Sequence, residues 1–108
     1  MEMDWCTIDN DGLRNGCFRI RLNAKSPVYA AHFPGMPITP GACLVELVTR
    51  LLDLYNLHFT VYCLKNVKFL KPLSPIETPE VICEIENCRA VIRDRNNVFA
   101  KMTIECTA

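Results

Sequence analysis

A histidine and a glutamate stand fourteen positions apart in the run Ala31-His-Phe-Pro-Gly-Met-Pro-Ile-Thr-Pro-Gly-Ala-Cys-Leu-Val-Glu46. His32 lies in a proline-rich loop and suits general-base work, because a neutral imidazole accepts a proton near pH 7. Glu46 lies on an otherwise apolar helix and suits the complementary acid role. Between them, Gly41 falls in the first turn of that helix. Its backbone N–H there lacks an intrahelical partner and sits at the positive end of the helix dipole, which suits it to hold a developing oxyanion. Each residue also has a plainer reading. His32 can bond a backbone carbonyl, Glu46 can pair with Arg50 one turn on, and Gly41 can be a turn or packing glycine.

These groups need elements to hold them. Three prolines (Pro34, Pro37, Pro40) and two glycines (Gly35, Gly41) keep the loop irregular but stiff. Thr39 suits a helix N-cap and Pro40 the first helical position, and the spacing predicts helix to about Asn56. At 100° per residue its apolar side chains, from Cys43 to Tyr55, cover roughly 200° of the circumference. Glu46, Thr49, Arg50 and Asp53 share the narrow arc that remains. Such a helix needs apolar partners on most sides, as a strongly curved sheet would supply.

Strands account for the rest. Phe18, Ile20 and Leu22 alternate with Arg19, Arg21 and Asn23, the period-two pattern of a strand with one wet face. A short extended piece is predicted over Val28 to Ala30. Val61 to Leu70, Val81 to Ile92 and Val98 to Cys106 read as longer strands; in the last, Val98, Ala100, Met102, Ile104 and Cys106 alternate with Phe99, Lys101, Thr103 and Glu105, and the first set is read as the core face. The apolar phase shifts near Asn87, which predicts a bulge or bend there, and Asp94 to Asn97 suits a hairpin turn. The class expected is α+β.

Length and composition narrow the function. The 108 residues allow one domain, 1–108, which would bury roughly 60 to 70% of its unfolded surface. Half the residues are hydrophobic and the formal net charge is zero, which argues against nucleic acid or an anionic membrane as partner. No segment is apolar enough to span a bilayer, and Glu2 and Asp4 do not fit the layout of a signal peptide, so a cytoplasmic location is expected. The cysteine count is seven, an odd number, and no Cys-x-x-Cys pair occurs. The thiols therefore read as small buried hydrophobes, with no metal and no cofactor expected.

The order His32-Phe-Pro-Gly, then Pro37, then Pro40-Gly41, then Glu46 closely resembles the signature of the hotdog-fold 3-hydroxyacyl-acyl-carrier-protein dehydratases. Asn66 to Pro75, with Lys68-Phe69 and Pro72-Leu73-Ser74-Pro75, is similar to that family's Lys-Phe-x-x-Pro-Val-x-Pro segment. The two stretches cover about a quarter of the chain. It departs from the pattern at Ala31, where glycine is usual, at Arg50, where glutamine is usual, and at Pro75-Ile76-Glu77, where Pro-Gly-Asp is usual.

The resemblance implies a hotdog fold, a curved antiparallel sheet wrapped around one central apolar helix. It implies removal of water from a 3-hydroxyacyl thioester, carried on acyl-carrier protein or coenzyme A, in fatty acid or related synthesis. By the same transfer His32 and Glu46 are catalytic, Gly41 binds the carbonyl, and histidine and glutamate meet across the interface of a homodimer or higher oligomer. Glutamate rather than aspartate at position 46 resembles the members that form a trans-2-enoyl product without isomerising it. Phe33, Met36 and Ile38 would line the acyl tunnel, or serve as ordinary core. Lys65, Lys68, Lys71, Arg93 and Arg95 would face an acidic carrier, or only solvent. A hotdog acyl thioesterase and a non-catalytic acyl-carrier-binding subunit are the alternatives.

Overall fold

The protein is seen in a computed structural model that describes residues 3–9, 15–32, 35–54 and 61–107, apart from the side chains at positions 31, 32, 61, 62, 106 and 107. In chain order the elements are β1 (Cys6–Asp9), β2 (Cys17–Leu22), α1 (Pro27–His32), α2 (Gly41–Leu54), β3 (Val61–Phe69), β4 (Glu80–Glu86), β5 (Arg89–Arg93) and β6 (Val98–Thr107). The strands form one antiparallel sheet in the order β1-β2-β4-β5-β6-β3. The two helices occupy the crossover between β2 and the far edge strand β3.

Alternation decides which face of the sheet turns inward. Phe18 and Ile20 of β2, Val81 and Cys83 of β4, Ala90 and Ile92 of β5, and Ala100, Met102 and Ile104 of β6 are all buried. They share a single core with Leu44, Leu47, Val48, Leu51 and Leu52 of α2, around which the sheet curves. Each fully buried Leu, Ile or Val contributes about 1.5–3 kcal/mol relative to exposure, so this helix is what the sheet is built around. The wide apolar arc expected of it is buried on most sides, although Leu54 is exposed. Tyr55 and Asn56 lie outside the described residues.

The structure corrects several expectations. Val28 to Ala30 is not extended but part of α1, because the hydroxyl of Ser26 accepts the Val28 N–H at 3.3 Å and Pro27 takes the first helical position. That hydroxyl in turn donates to the Asp4 carboxylate at 2.8 Å, tying α1 to the segment ahead of β1. β1 itself, with its single buried Cys6, was too short and mixed to register as a strand. The phase change near Asn87 is a full reversal rather than a bulge. Asn87 (φ 52) and Cys88 (φ 60) form a two-residue turn with both angles positive, so the apolar phase restarts on β5.

The turn at Asp94 to Asn97 is as expected. The Asp94 carboxylate accepts the N–H groups of Asn96 and Asn97 at 2.9 and 2.7 Å, which holds its pKa below the ordinary value. Phe99, expected to face solvent, is buried. Ile92 pairs with Ala100 but Arg93 pairs with Val98, so Phe99 is an extra residue that turns inward. Of the cysteines, Cys6, Cys17, Cys43 and Cys83 are buried free thiols, whereas Cys63 and Cys88 are exposed.

Candidate active site at the amino end of helix α2

Three segments meet at the start of α2. The hydroxyls of Tyr29, on α1, and Thr39, in the loop, are 2.9 Å apart and buried. The Thr39 N–H donates to the Leu73 carbonyl at 2.8 Å, so the loop after β3 is drawn into the same knot. Thr39 therefore uses its side chain on Tyr29 and does not start the helix as expected. The helix begins one residue beyond Pro40, whose carbonyl accepts the Cys43 N–H at 3.0 Å.

Gly41 is the first residue of α2. A Cβ placed on it would lie 2.6 Å from two ring carbons of Phe69, so glycine lets the β3 aromatic ring close against the helix start. A cavity of about 320 Å³ opens here, lined by Ile38, Gly41, Leu44, Phe69 and the loop from Leu70 to Leu73. Its walls are mainly apolar, while the first-turn N–H groups of α2 supply donors and a positive dipole end. Phe69 and Leu70 are half exposed at its mouth. The chemistry available is recognition of an apolar chain next to an electron-rich oxygen.

Glu46 is half buried, a little over one turn further along α2. It lies close enough to two buried thiols to act on them. Burial pushes the Cys6 thiol up to about 12, and the charges of Cys43 and Glu46 push in the same direction. Cys43 is raised by burial first, then by Glu46 and Asp4. The Tyr29 hydroxyl is raised as well, by burial, against the lowering effect of its bond to Thr39.

The expected site residues fall as follows. Gly41 and Ile38 line the cavity together. Met36 is largely exposed and is not among the lining residues. His32 does not sit in the loop but closes α1, and its side chain, like all of Phe33, lies outside the described residues. Tyr29, Thr39 and Phe69 were missed as site-forming residues. A Ser-Pro helix start before Tyr29 was the available signal for the first.

An antiparallel sheet curved around an apolar helix, with an apolar cavity against that helix's first turn, defines a hotdog-fold protein. Comparison with known proteins refines this. The model of the ApeI-like family, ApeI dehydratase, matches residues 9–103, and the chain belongs to that family. It is also 27% identical over 78 residues to the 3-hydroxyacyl-[acyl-carrier-protein] dehydratase FabZ of Rickettsia bellii (strain OSU 85-389). That similarity covers 64% of this chain and 54% of the relative, so the chain spans about half the length of the curated protein it matches.

Proposed function

We propose that the protein removes water from 3-hydroxyacyl thioesters, borne on acyl-carrier protein or coenzyme A, to give trans-2-enoyl thioesters for fatty acid or related synthesis. The observation that carries this reading is Gly41, a first-turn helix residue on the wall of an apolar cavity, in a chain of a dehydratase family. The acyl chain lies along that cavity past Ile38, and we assign Phe33 and Met36 to the same acyl chain on their place in the signature loop. The thioester oxygen faces the Gly41 N–H.

The imidazole of His32 takes the proton from C2 of the substrate, and negative charge moves onto the thioester oxygen. As C2=C3 forms, the C3–O bond breaks and the hydroxyl leaves as water with a proton from Glu46. The half-buried position of Glu46 on α2, a little over one turn beyond the Gly41 helix start, supports its acid role. Among the described residues β3 is an edge strand of the sheet, which supports a homodimer in which His32 and Glu46 of opposite chains complete each site. Among the described residues no helix is long and apolar enough to cross a membrane, and we place the enzyme in the cytoplasm.

The test follows purified protein with short and medium 3-hydroxyacyl thioesters by mass spectrometry. Wild type should release the mass of one water, and His32→Ala and Glu46→Gln should each be slower by about 10²- to 10⁴-fold. Free thiol instead of enoyl product would mean a thioesterase. Bound but intact substrate would mean a carrier-binding subunit.

A further inference from the structure

The outer face of the sheet carries a second concavity, remote in chemistry from the apolar one. Lys68 of β3 stands directly opposite Lys101 of β6, and Thr103 of β6 stands opposite Arg89 of β5. With Asn66, these four side chains surround a cavity of about 310 Å³. A bulge makes the room for it. The β3–β6 register slips between Lys65 and Lys68, and Asn66 takes a positive φ of 51°, which bends the edge strand. Because Ala100, Met102 and Ile104 point into the core, Lys101 and Thr103 point out.

Like charges directly opposite each other on a sheet are destabilising. Elsewhere on this face cations are neutralised: Lys65 pairs with Glu105 at 2.6 Å and Arg93 pairs with Glu84. Lys68, Arg89 and Lys101 form no ion pair among the described residues, and no carboxylate lines their cavity. Glu86 stands opposite Arg89 on β4 and, with Glu84, borders a neighbouring depression that Arg89 also lines, so Arg89 stands between the two hollows. In a chain of zero net charge, Lys68 and Lys101, with no carboxylate at their hollow, thus converge there with Arg89, which reaches it from the edge of the acidic depression.

We propose that this hollow binds a phosphate group. Lys68 and Lys101 supply compact charges, Arg89 supplies a planar donor fork that matches two phosphate oxygens, and Asn66 and Thr103 supply neutral hydrogen bonds. A phosphate fits better than a carboxylate, because it offers more oxygens and more charge to three cations. Two sources share this chemistry, free phosphate and a phosphate-bearing thioester carrier of the coenzyme A kind. The second is sterically direct, since Lys68 faces outward while the next residue, Phe69, lines the apolar cavity around the same edge strand.

The experiment titrates the isotope-labelled full chain with inorganic phosphate and, separately, with coenzyme A at constant ionic strength, and reads backbone amide shifts by NMR. The site requires saturable shifts centred on Asn66, Lys68, Arg89, Lys101 and Thr103 with at least one of the two. Saturation by phosphate alone assigns the free anion, and saturation by coenzyme A alone assigns the carrier. Lys68→Gln and Lys101→Gln should each weaken binding about tenfold, the value of one charge-assisted hydrogen bond, while leaving the unliganded thermal midpoint unchanged or raised. Shifts that never saturate, shifts spread over the whole surface, or variants that bind as wild type does overturn the proposal.

Discussion

The hydroxyls of Tyr29 and Thr39 lie 2.9 Å apart inside the protein, and through this contact the helix that ends in His32 is fastened to the loop that opens into α2. The bond joins residues ten apart in sequence across the stretch richest in proline. Because both groups are buried, its loss strands a polar atom away from water.

Tyr29→Phe should therefore lower stability by about 1–3 kcal/mol, the cost of leaving the Thr39 hydroxyl without a partner. With the proposed base at the end of the same helix, kcat should fall more than KM rises. Urea denaturation and steady-state kinetics check the two halves; wild-type values in both would show that the contact positions nothing.

Gly41→Ala sets a new Cβ against the Phe69 ring, 2.6 Å from its nearest carbons. The ring is half exposed and can swing away, so the loss of stability should stay near ~1 kcal/mol while the cavity narrows and turnover drops. In a double-mutant cycle, Phe69→Ala should cancel most of the stability loss. Additive effects would remove the ring as the cause.

Cys88 holds a φ of 60° in the second position of the β4–β5 turn, next to Asn87 at 52°. Asn-Gly is the favoured pair for such a turn, and left-handed angles cost an L-residue roughly 1–2 kcal/mol. Cys88→Gly is expected to raise the urea midpoint by an amount worth about 0.5–1 kcal/mol. A lower midpoint would mean that the exposed thiol makes a contact that outweighs the backbone gain.

Alkaline pH should unfold the protein progressively. Burial pushes Cys6 and Cys83 from 9.0 to about 12, so the folded chain keeps both thiols protonated where the unfolded chain loses them. The unfolded state then binds fewer protons, and stability is whole below pH 9 and declines as pH rises from 9 toward 12. Chemical denaturation at stepped pH measures this; Cys83→Ala should flatten the slope, at the cost of a small cavity.

Much of the site was legible from residue order. Pro40, Gly41 and the long apolar run of α2 predicted a helix start and a helix enclosed on most sides, and both are present with a one-residue shift. The Lys-Phe segment resembled a family motif, and Phe69 does reach the helix start, but only its contact with Gly41 gives the reason. The misreadings share a cause. At Val28, at Asn87 and at Phe99 the apolar pattern suits more than one backbone path, and the choice rested on a serine cap, on a pair of positive φ angles and on one extra residue in a strand. Local pattern has little power over such choices because each turns on a single backbone angle or bond.

Sequence alone was sufficient for what depends on near neighbours: an apolar helix after a stiff loop, alternating strands, the Asp94 turn, and the spacing of His32, Gly41 and Glu46. Folding in three dimensions decided what depends on distant ones. It set Phe69 against Gly41, joined Tyr29 to Thr39 and Thr39 to Leu73, placed Glu46 beside Cys6, and gathered Lys68, Arg89 and Lys101 in one hollow. Those pairings follow from strand order and register, which are fixed by how one curved sheet closes over one helix, and no short window of sequence contains that closure.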